Sequence, residues 1–257
     1  MSRTLTWIDF FSSDAGRTCA EWEIAAFSAI SRTMSGVRAV QIGCPAINAL
    51  TGCAIAHQIL VSEDVPASRE SDIRAPVIAH PEAIPLAAEC SDLIVWPHGL
   101  DSCSDKAACL AEIERVLAPN GILIASFLNA SGPWSMRRRL LRGSSVLPSP
   151  SSLVSVGEAK SLIAASSLVI EGGRFGVYTV NPDARPEEPR PVNSLRPTWL
   201  DKAGDRWWPT LGNMAVLIAR KRTAGMTLVG KAAFGSNAAR SGKRALAHRQ
   251  SISKEKA

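Results

Sequence analysis

Three polar residues follow two apolar runs near the middle of the chain, and their types suit proton transfer and hydrogen bonding. His98 and Asp101 come directly after residues 93–96, and Asn129 follows residues 122–127. An imidazole, whose unperturbed pKa is near neutrality, can deprotonate a hydroxyl or an amine. His98 is therefore a candidate base. Two alternatives remain open: His98 only hydrogen-bonds its own loop, and Asn129 only caps its turn.

The segments around these residues predict two buried strands joined by a helix. Residues 93–96 and 122–127 are continuous apolar runs, which are typical of strands in a parallel sheet covered on both faces. Between them, apolar side chains recur at helical spacing over residues 106–117, after the cap residue Asp105. Residues 119–121, Pro-Asn-Gly, end that helix. This order predicts a right-handed crossover, with the polar residues at the carboxyl ends of the strands.

Further apolar segments extend this unit in both directions. The remaining predicted strands are residues 37–42, 59–62, 77–79, a strand beginning at 168–170, and 214–219, and the other predicted helices are 18–34 and 156–166. Seven strands with intervening helices predict an α/β fold, a Rossmann-like, doubly wound sheet with helices on both faces. A ligand crevice is expected at the carboxyl ends of its strands.

The order of residues over these elements resembles one known family. Residues 91–101 read SDLIVWPHGLD, residues 110–124 read LAEIERVLAPNGILI, and residues 40–43 read VQIG. This resembles class I S-adenosylmethionine (SAM)-dependent methyltransferases of the type 11 group. With Trp7, Phe10 and Phe11, the pattern is similar to a proteobacterial subgroup often encoded beside a glyoxalase II gene. The resemblance implies SAM as cofactor, methyl transfer to an unknown acceptor, and an acceptor side near His98, Asp101 and Asn129.

The turn after the first strand departs from the family pattern, in which an acidic residue precedes three alternating glycines. Gln41 replaces the carboxylate, Gly43 matches the first glycine, and Pro45 replaces the second. Proline fixes its own φ and has no backbone N–H to donate. The resemblance therefore implies that Gln41, Gly43 and Pro45 bind the cofactor through a degenerate motif, with weakened or lost affinity.

Three further residues take cofactor-binding roles from the resemblance. Glu63, at the end of the second strand, corresponds to the acid that binds the ribose hydroxyls. His80 stands where the family has an adenine-recognising aspartate, and an imidazole does not reproduce the carboxylate. Trp96, at the end of the fourth strand, is assigned to the cofactor side as well. For Glu63 the alternative is a solvated turn at residues 62–64.

The charge of the chain is concentrated at its carboxyl end. The formal net charge is +6, but residues 220–257 contain ten Lys or Arg against one Glu, which leaves the other 219 residues slightly acidic. Residues 223–257 are rich in small and basic side chains and predict a disordered tail that could bind nucleic acid. Residues 136–142 form a second basic segment, which suits a phosphate backbone, an acidic membrane surface or a solvated helix face.

Length and motifs limit the other possibilities. We expect a helical cap over residues 1–36, a methyltransferase-like domain over 37–222 and the tail. No run of apolar residues reaches the roughly 18 that span a membrane, and no signal peptide is evident, so a cytoplasmic location is expected. The cysteines and histidines complete no metal-ligand spacing. The alternative function is an inactive methyltransferase-like protein that binds nucleic acid or a protein partner.

Overall fold

The computed structural model describes residues 7–63, 74–141, 147, 153–178 and 211–222. The helices in this part of the chain are α1 (Trp7–Ser12), α2 (Asp14–Ser31), α3 (Gly99–Ser102), α4 (Lys106–Val116), α5 (Pro133–Leu141) and α6 (Val156–Ala164). The strands are β1 (Arg38–Ile42), β2 (His57–Ser62), β3 (Ala75–Ile78), β4 (Ser91–Trp96), β5 (Leu117–Leu128), β6 (Leu168–Gly176) and β7 (Met214–Lys221).

All seven strands join one sheet in the order β3-β2-β1-β4-β5-β7-β6. Strands β1 to β5 run parallel, whereas β7 is antiparallel to both β5 and β6. Gln41 of β1 is in register with Leu60 of β2 and Val95 of β4. The loops that follow these three strands therefore leave the sheet at one edge. The predicted seven-stranded, Rossmann-like sheet is confirmed.

Helices cover both faces of the sheet, as predicted. On one face, Ile113 of α4 and Ile163 of α6 pack with Ile94 and Leu123. On the other face, Phe27 of α2 packs with strand residues such as Leu93, Val95 and Ile124. Each fully buried aliphatic or aromatic side chain stabilises the fold by about 1.5–3 kcal/mol relative to an exposed one. Helix α2 is thus part of the hydrophobic core of the sheet.

The boundaries of α2 and of the basic segment differ from the prediction. Helix α2 begins at Asp14 because the Ser13 hydroxyl accepts a hydrogen bond from the Gly16 N–H at 3.1 Å, which is N-cap geometry. Most of the basic segment lies in α5, which begins at Pro133. Between β1 and β2 the connection is a series of turns rather than a helix.

Several predictions fall on other parts of the chain. The basic tail at 223–257, the Pro-rich connection at 182–209 and most of the loop at 148–155 lie outside the described residues. Among the helices that the structure describes, none combines the length and apolar character needed to cross a bilayer.

Candidate functional site

The turn after β1 leaves open space in front of its glycine. Gly43 has a φ of +71°, and a Cβ at this position would meet no atom within 4 Å. Cys44 follows with a φ of +46°, which is uncommon for a residue with a side chain. Pro45 is half-buried on the same turn. The backbone at Gly43 is therefore accessible to a ligand at the carboxyl edge of the sheet.

Gln41 holds this turn from inside the protein. Its buried side-chain amide donates to the carbonyls of Gly43, Cys44 and Ile47 at 3.2, 3.1 and 2.9 Å. Its side-chain oxygen accepts from the Ala49 N–H at 2.9 Å and from Arg74 Nη1 at 2.6 Å.

Every contact of Gln41 in this network is thus to the protein itself. A carboxylate at position 41 would face three carbonyl oxygens with no N–H to donate, so an amide fits this network. The predicted contact between Gln41 and a cofactor stays a prediction, and its observed role is to fix the turn.

Glu63 and His80 meet at the same edge of the sheet. Glu63 follows β2, His80 follows β3, and their Oε1 and Nε2 atoms are 3.1 Å apart. Both side chains are about half exposed, at 57% and 51%. Glu82 approaches His80 from the other side, with 3.9 Å between Oε2 and Nδ1. The structure therefore brings the two predicted cofactor residues together in an accessible position.

His98 and Asp101 also meet, but in the interior. His98 adopts the left-handed conformation with a φ of +51°, directly before α3. Its Nδ1 is 3.1 Å from Asp101 Oδ2, and its Nε2 is 3.2 Å from Oε2 of Glu23 on α2. Asp101 also accepts a hydrogen bond from the Leu128 N–H at 2.7 Å. Ser126 of β5 donates to Glu23 and accepts from the His98 N–H.

We call Glu23, His98, Asp101 and Ser126 the buried polar cluster. All four residues are at most 2% exposed. Burial alone would lower the pKa of His98, but the charge of Glu23 and the hydrogen bonds with Asp101 and Glu23 outweigh it and raise the pKa to about 10. Burial raises the pKa of Asp101. The raised pKa favours the protonated imidazole at neutral pH, which disfavours a role for His98 as a general base in this conformation.

Aromatic side chains of α1 seal this cluster. The rings of Trp7 and Phe11 lie 4.6 Å and 5.4 Å from the His98 ring, measured between centroids. Phe10 is fully buried beside them. An acceptor would have to displace α1 to touch His98. The catalytic role predicted for His98 and Asp101 stays a prediction, while the alternative that His98 hydrogen-bonds its own loop describes the observed contact with Asp101.

Asn129 organises the turn after β5. Its side-chain oxygen accepts from the Ser131 N–H at 3.0 Å, and its amide donates to the Gly212 carbonyl at 3.0 Å. Asn129 is 1% exposed. Its observed contacts therefore match the alternative of a turn cap, and its predicted contact with an acceptor is not tested by them.

Trp96, the last residue of β4, lies in the hydrophobic core at the carboxyl end of its strand. It is 1% exposed and packs among the side chains of the face that α4 and α6 cover. A Cβ on Gly99 would come within 1.8 Å of the Trp96 ring nitrogen, so only glycine fits there. The predicted contact of Trp96 with a cofactor stays a prediction.

Sequence reasoning gave no role to Glu23 or Arg74. A signal for Glu23 was present, because it lies at helical spacing with Cys19, Ala26 and Phe27 on the buried face of α2. A carboxylate on an apolar stripe needs a buried charged or hydrogen-bonding partner, because burial of an unpaired charge is unfavourable. We find no comparable signal for Arg74, whose partner Gln41 is 33 positions away in the sequence. Among the described residues, no group of three His, Cys, Asp or Glu could hold a metal ion.

Part of this chain matches a known protein family. Residues 42–125 match the family model of a methyltransferase domain, and this segment runs from the end of β1 into β5. A search of curated proteins gave no significant match.

Three solved structures share the fold. A SAM-dependent methyltransferase from Thermotoga maritima is 17% identical with a TM-score of 0.55, and the alignment covers 84% of this chain and 100% of that one. One from Mesorhizobium loti is also 17% identical, with a TM-score of 0.52 and coverage of 78% and 97%. The N-methyltransferase NodS from Bradyrhizobium japonicum, solved with S-adenosylhomocysteine, is 12% identical, with a TM-score of 0.52 and coverage of 82% and 89%.

At these identities the structural likeness shows the fold. The chain has the seven-stranded Rossmann-like fold of these methyltransferases. The family match adds sequence support over the segment that contains Gly43, Glu63 and His80. Together they show a methyltransferase-like fold and a sequence match to a methyltransferase domain over residues 42–125.

Proposed function

We propose that this protein transfers a methyl group from SAM to an acceptor that is still to be identified. The observation that carries the proposal is the open turn at Gly43 beside the accessible Glu63–His80 pair, within the segment that matches a methyltransferase domain. When bound, SAM supplies an electrophilic methyl group on a sulfonium. The protein then has to hold the two reactants in line in a dry pocket, because proximity and orientation lower the barrier to the reaction.

The residues at the edge fit the cofactor. Gly43 has no side chain to fill the space in front of its backbone. Glu63 presents a carboxylate that can accept hydrogen bonds from two ribose hydroxyls. In this proposal His80, whose Nε2 is 3.1 Å from Glu63 Oε1, contacts the adjacent base. Pro45 provides no N–H, so binding is expected to be weaker than with the full glycine motif.

The buried polar cluster has a different task in this proposal. His98, held between two carboxylates, fixes the loop after β4, which in this fold faces the reacting groups. Its proton stays on the imidazole at neutral pH because the pKa is about 10. We infer that it orients the loop and that the acceptor either enters already nucleophilic or first displaces α1.

Isothermal titration of the full chain with SAM and S-adenosylhomocysteine tests the cofactor assignment. We expect dissociation constants in the micromolar range, and loss of binding in Gly43→Trp because the indole would fill the open space. Gly43→Ala is the matched control, since it has the same unfavourable φ with almost no added bulk. Equal loss in both variants would mean that strain, and not occupancy of the space, removes binding.

The absence of binding to the unmodified protein at millimolar ligand would overturn the proposal. It would leave the alternative of an inactive methyltransferase-like protein that binds nucleic acid or a protein partner. That alternative rests on the basic segment at 136–142, most of which lies in α5, and on residues 223–257, which lie beyond the part of the chain that the structure describes.

A further inference from the structure

Helix α5 exposes two large apolar side chains to solvent. Met136 is 52% exposed and Leu140 is 79% exposed, the highest exposed fraction among the large hydrophobic residues of the described chain. They are four positions apart and therefore lie about 40° apart around the helix axis. The two side chains form one short apolar stripe along the outer face of α5.

Arginines border this stripe on both sides. At about 100° per residue, Arg137 falls to one side of the stripe and Arg139 to the other. Arg139 is exposed and Arg137 is half-buried. The helix sequence, PWSMRRRLL, contains no acidic residue. The outer face of α5 is thus apolar along its centre and cationic along its margins.

The inner face of α5 is fixed to the protein. The Trp134 N–H donates to Asn213 Oδ1 at 2.8 Å, and the Ser135 hydroxyl donates to the Asn129 carbonyl at 3.0 Å. Arg138, on the side opposite the stripe, donates to the Leu147 carbonyl at 3.1 Å. The side chains of Trp134 and Ser135 are buried. These contacts set the orientation of the helix, so its outer face is a defined surface.

The chemistry of this surface selects its partner. A phosphate backbone would be bound by the arginines but would leave Met136 and Leu140 in water, because single-stranded nucleic acid is stacked mainly on aromatic side chains. An anionic bilayer satisfies both parts: aliphatic side chains enter the boundary of the acyl chains, and arginines remain at the lipid phosphates. We propose that the outer face of α5 docks the protein on anionic membrane surfaces.

Helix α5 lies next to the carboxyl edge of the sheet. The helix begins four residues after Asn129, on the turn that follows β5. It therefore lies by the edge of the sheet where the parallel strands end. Membrane binding itself does not depend on methyl transfer, so it can be tested separately from the proposed function.

Flotation of the full chain with lipid vesicles tests the proposal. One vesicle set contains equal parts of phosphatidylglycerol and phosphatidylcholine, and the other contains phosphatidylcholine alone. We expect binding to the anionic vesicles, about tenfold weaker partitioning for Met136→Gln/Leu140→Gln, and a similar loss for Arg137→Gln/Arg139→Gln. Val169→Gln is the matched control, because Val169 is 41% exposed on β6, outside α5.

Every variant retains the basic tail, so a difference in vesicle binding between an α5 variant and the unmodified protein reports α5 and not the tail. Unchanged flotation of Met136→Gln/Leu140→Gln would assign any binding to the tail and overturn the proposal. Equal binding of both vesicle sets would also overturn it. A different pattern would identify α5 as a phosphate-backbone site instead. In that case Arg137→Gln/Arg139→Gln loses affinity for an RNA oligonucleotide, and Met136→Gln/Leu140→Gln binds both vesicle sets as the unmodified protein does. Circular dichroism establishes that each variant is folded.

Discussion

Two groups of polar residues lie at the same edge of the sheet, but they differ in access to solvent. Glu63 and His80 are about half exposed, whereas the buried polar cluster around His98 is sealed by α1 and α2. Glu23 of the buried cluster also acts on the turn after β1, where burial and then the charge of Glu23 raise the pKa of Cys44. A cofactor can reach the first group without rearrangement, while an acceptor can reach the second only after α1 moves.

Removal of one charge from the buried polar cluster should have the largest effect on stability. In Glu23→Leu, His98 and Ser126 lose a buried partner, and loss of one member of a buried ion pair costs about 3–5 kcal/mol. We expect the free energy of unfolding to fall by about 3 kcal/mol in urea denaturation. Glu23→Gln keeps a hydrogen-bonding group for Ser126 and should lose less.

An exposed ion pair provides the control for this effect. Arg17 pairs with Asp14, and their side chains are 64% and 40% exposed. Arg17→Gln should cost at most about 1 kcal/mol, because exposed pairs are solvated and gain little. Equal losses for Glu23→Leu and Arg17→Gln would mean that the cluster is hydrated in solution and that α1 does not seal it.

The same cluster predicts how stability depends on pH. The pKa of His98 is raised to about 10 in the folded protein, above its unperturbed value near 6.5. The stabilisation by protonated His98 is therefore complete below about pH 6.5 and is lost as pH rises through about 10. The raised pKa of Asp101 acts in the same direction at lower pH.

Urea denaturation at several pH values measures this dependence. Between pH 7 and pH 10 the unmodified protein should lose stability more steeply than His98→Gln, and the difference between the two reports the titration of His98 together with that of Asp101, whose pKa His98 lowers. Parallel curves would show that His98 is neutral in the folded protein, which would restore it as a candidate base at neutral pH.

The turn after β1 permits a test of its departure from the family pattern. Gln41→Glu restores the family's acid but places a carboxylate against the carbonyls of Gly43, Cys44 and Ile47. Leaving these groups without a donor should lower the free energy of unfolding by about 1–3 kcal/mol, part of which an ion pair with Arg74 would offset. An increase in stability would mean that the turn rearranges to present N–H groups to residue 41.

The resemblance to a known family located residues of the open region, whereas two members of the buried polar cluster, Glu23 and Ser126, were not predicted. Gly43, Glu63 and His80 were assigned from the family pattern, and each follows a strand of the sheet, while their role in cofactor binding stays a prediction. The cluster depends on contacts between distant segments: Glu23 meets Ser126 across 103 positions. Such pairing is set by how α2 packs on the sheet, and the sequence indicated only that α2 has an apolar face.

The last prediction concerns the open region and has the smallest effect. Glu63→Gln should weaken SAM binding about tenfold, since a carboxylate accepts hydrogen bonds from hydroxyls more strongly than an amide does. Stability should hardly change, because the Glu63 side chain is 57% exposed.

Glu82→Gln is the matched control: it makes the same change on the other side of His80 and should leave the affinity for SAM within twofold. If both variants bind SAM equally well, the ribose lies elsewhere and the half-exposed Glu63–His80 pair is a solvated turn. If only Glu63→Gln is weakened, the cofactor binds at the accessible edge of the sheet, without a need for α1 to move.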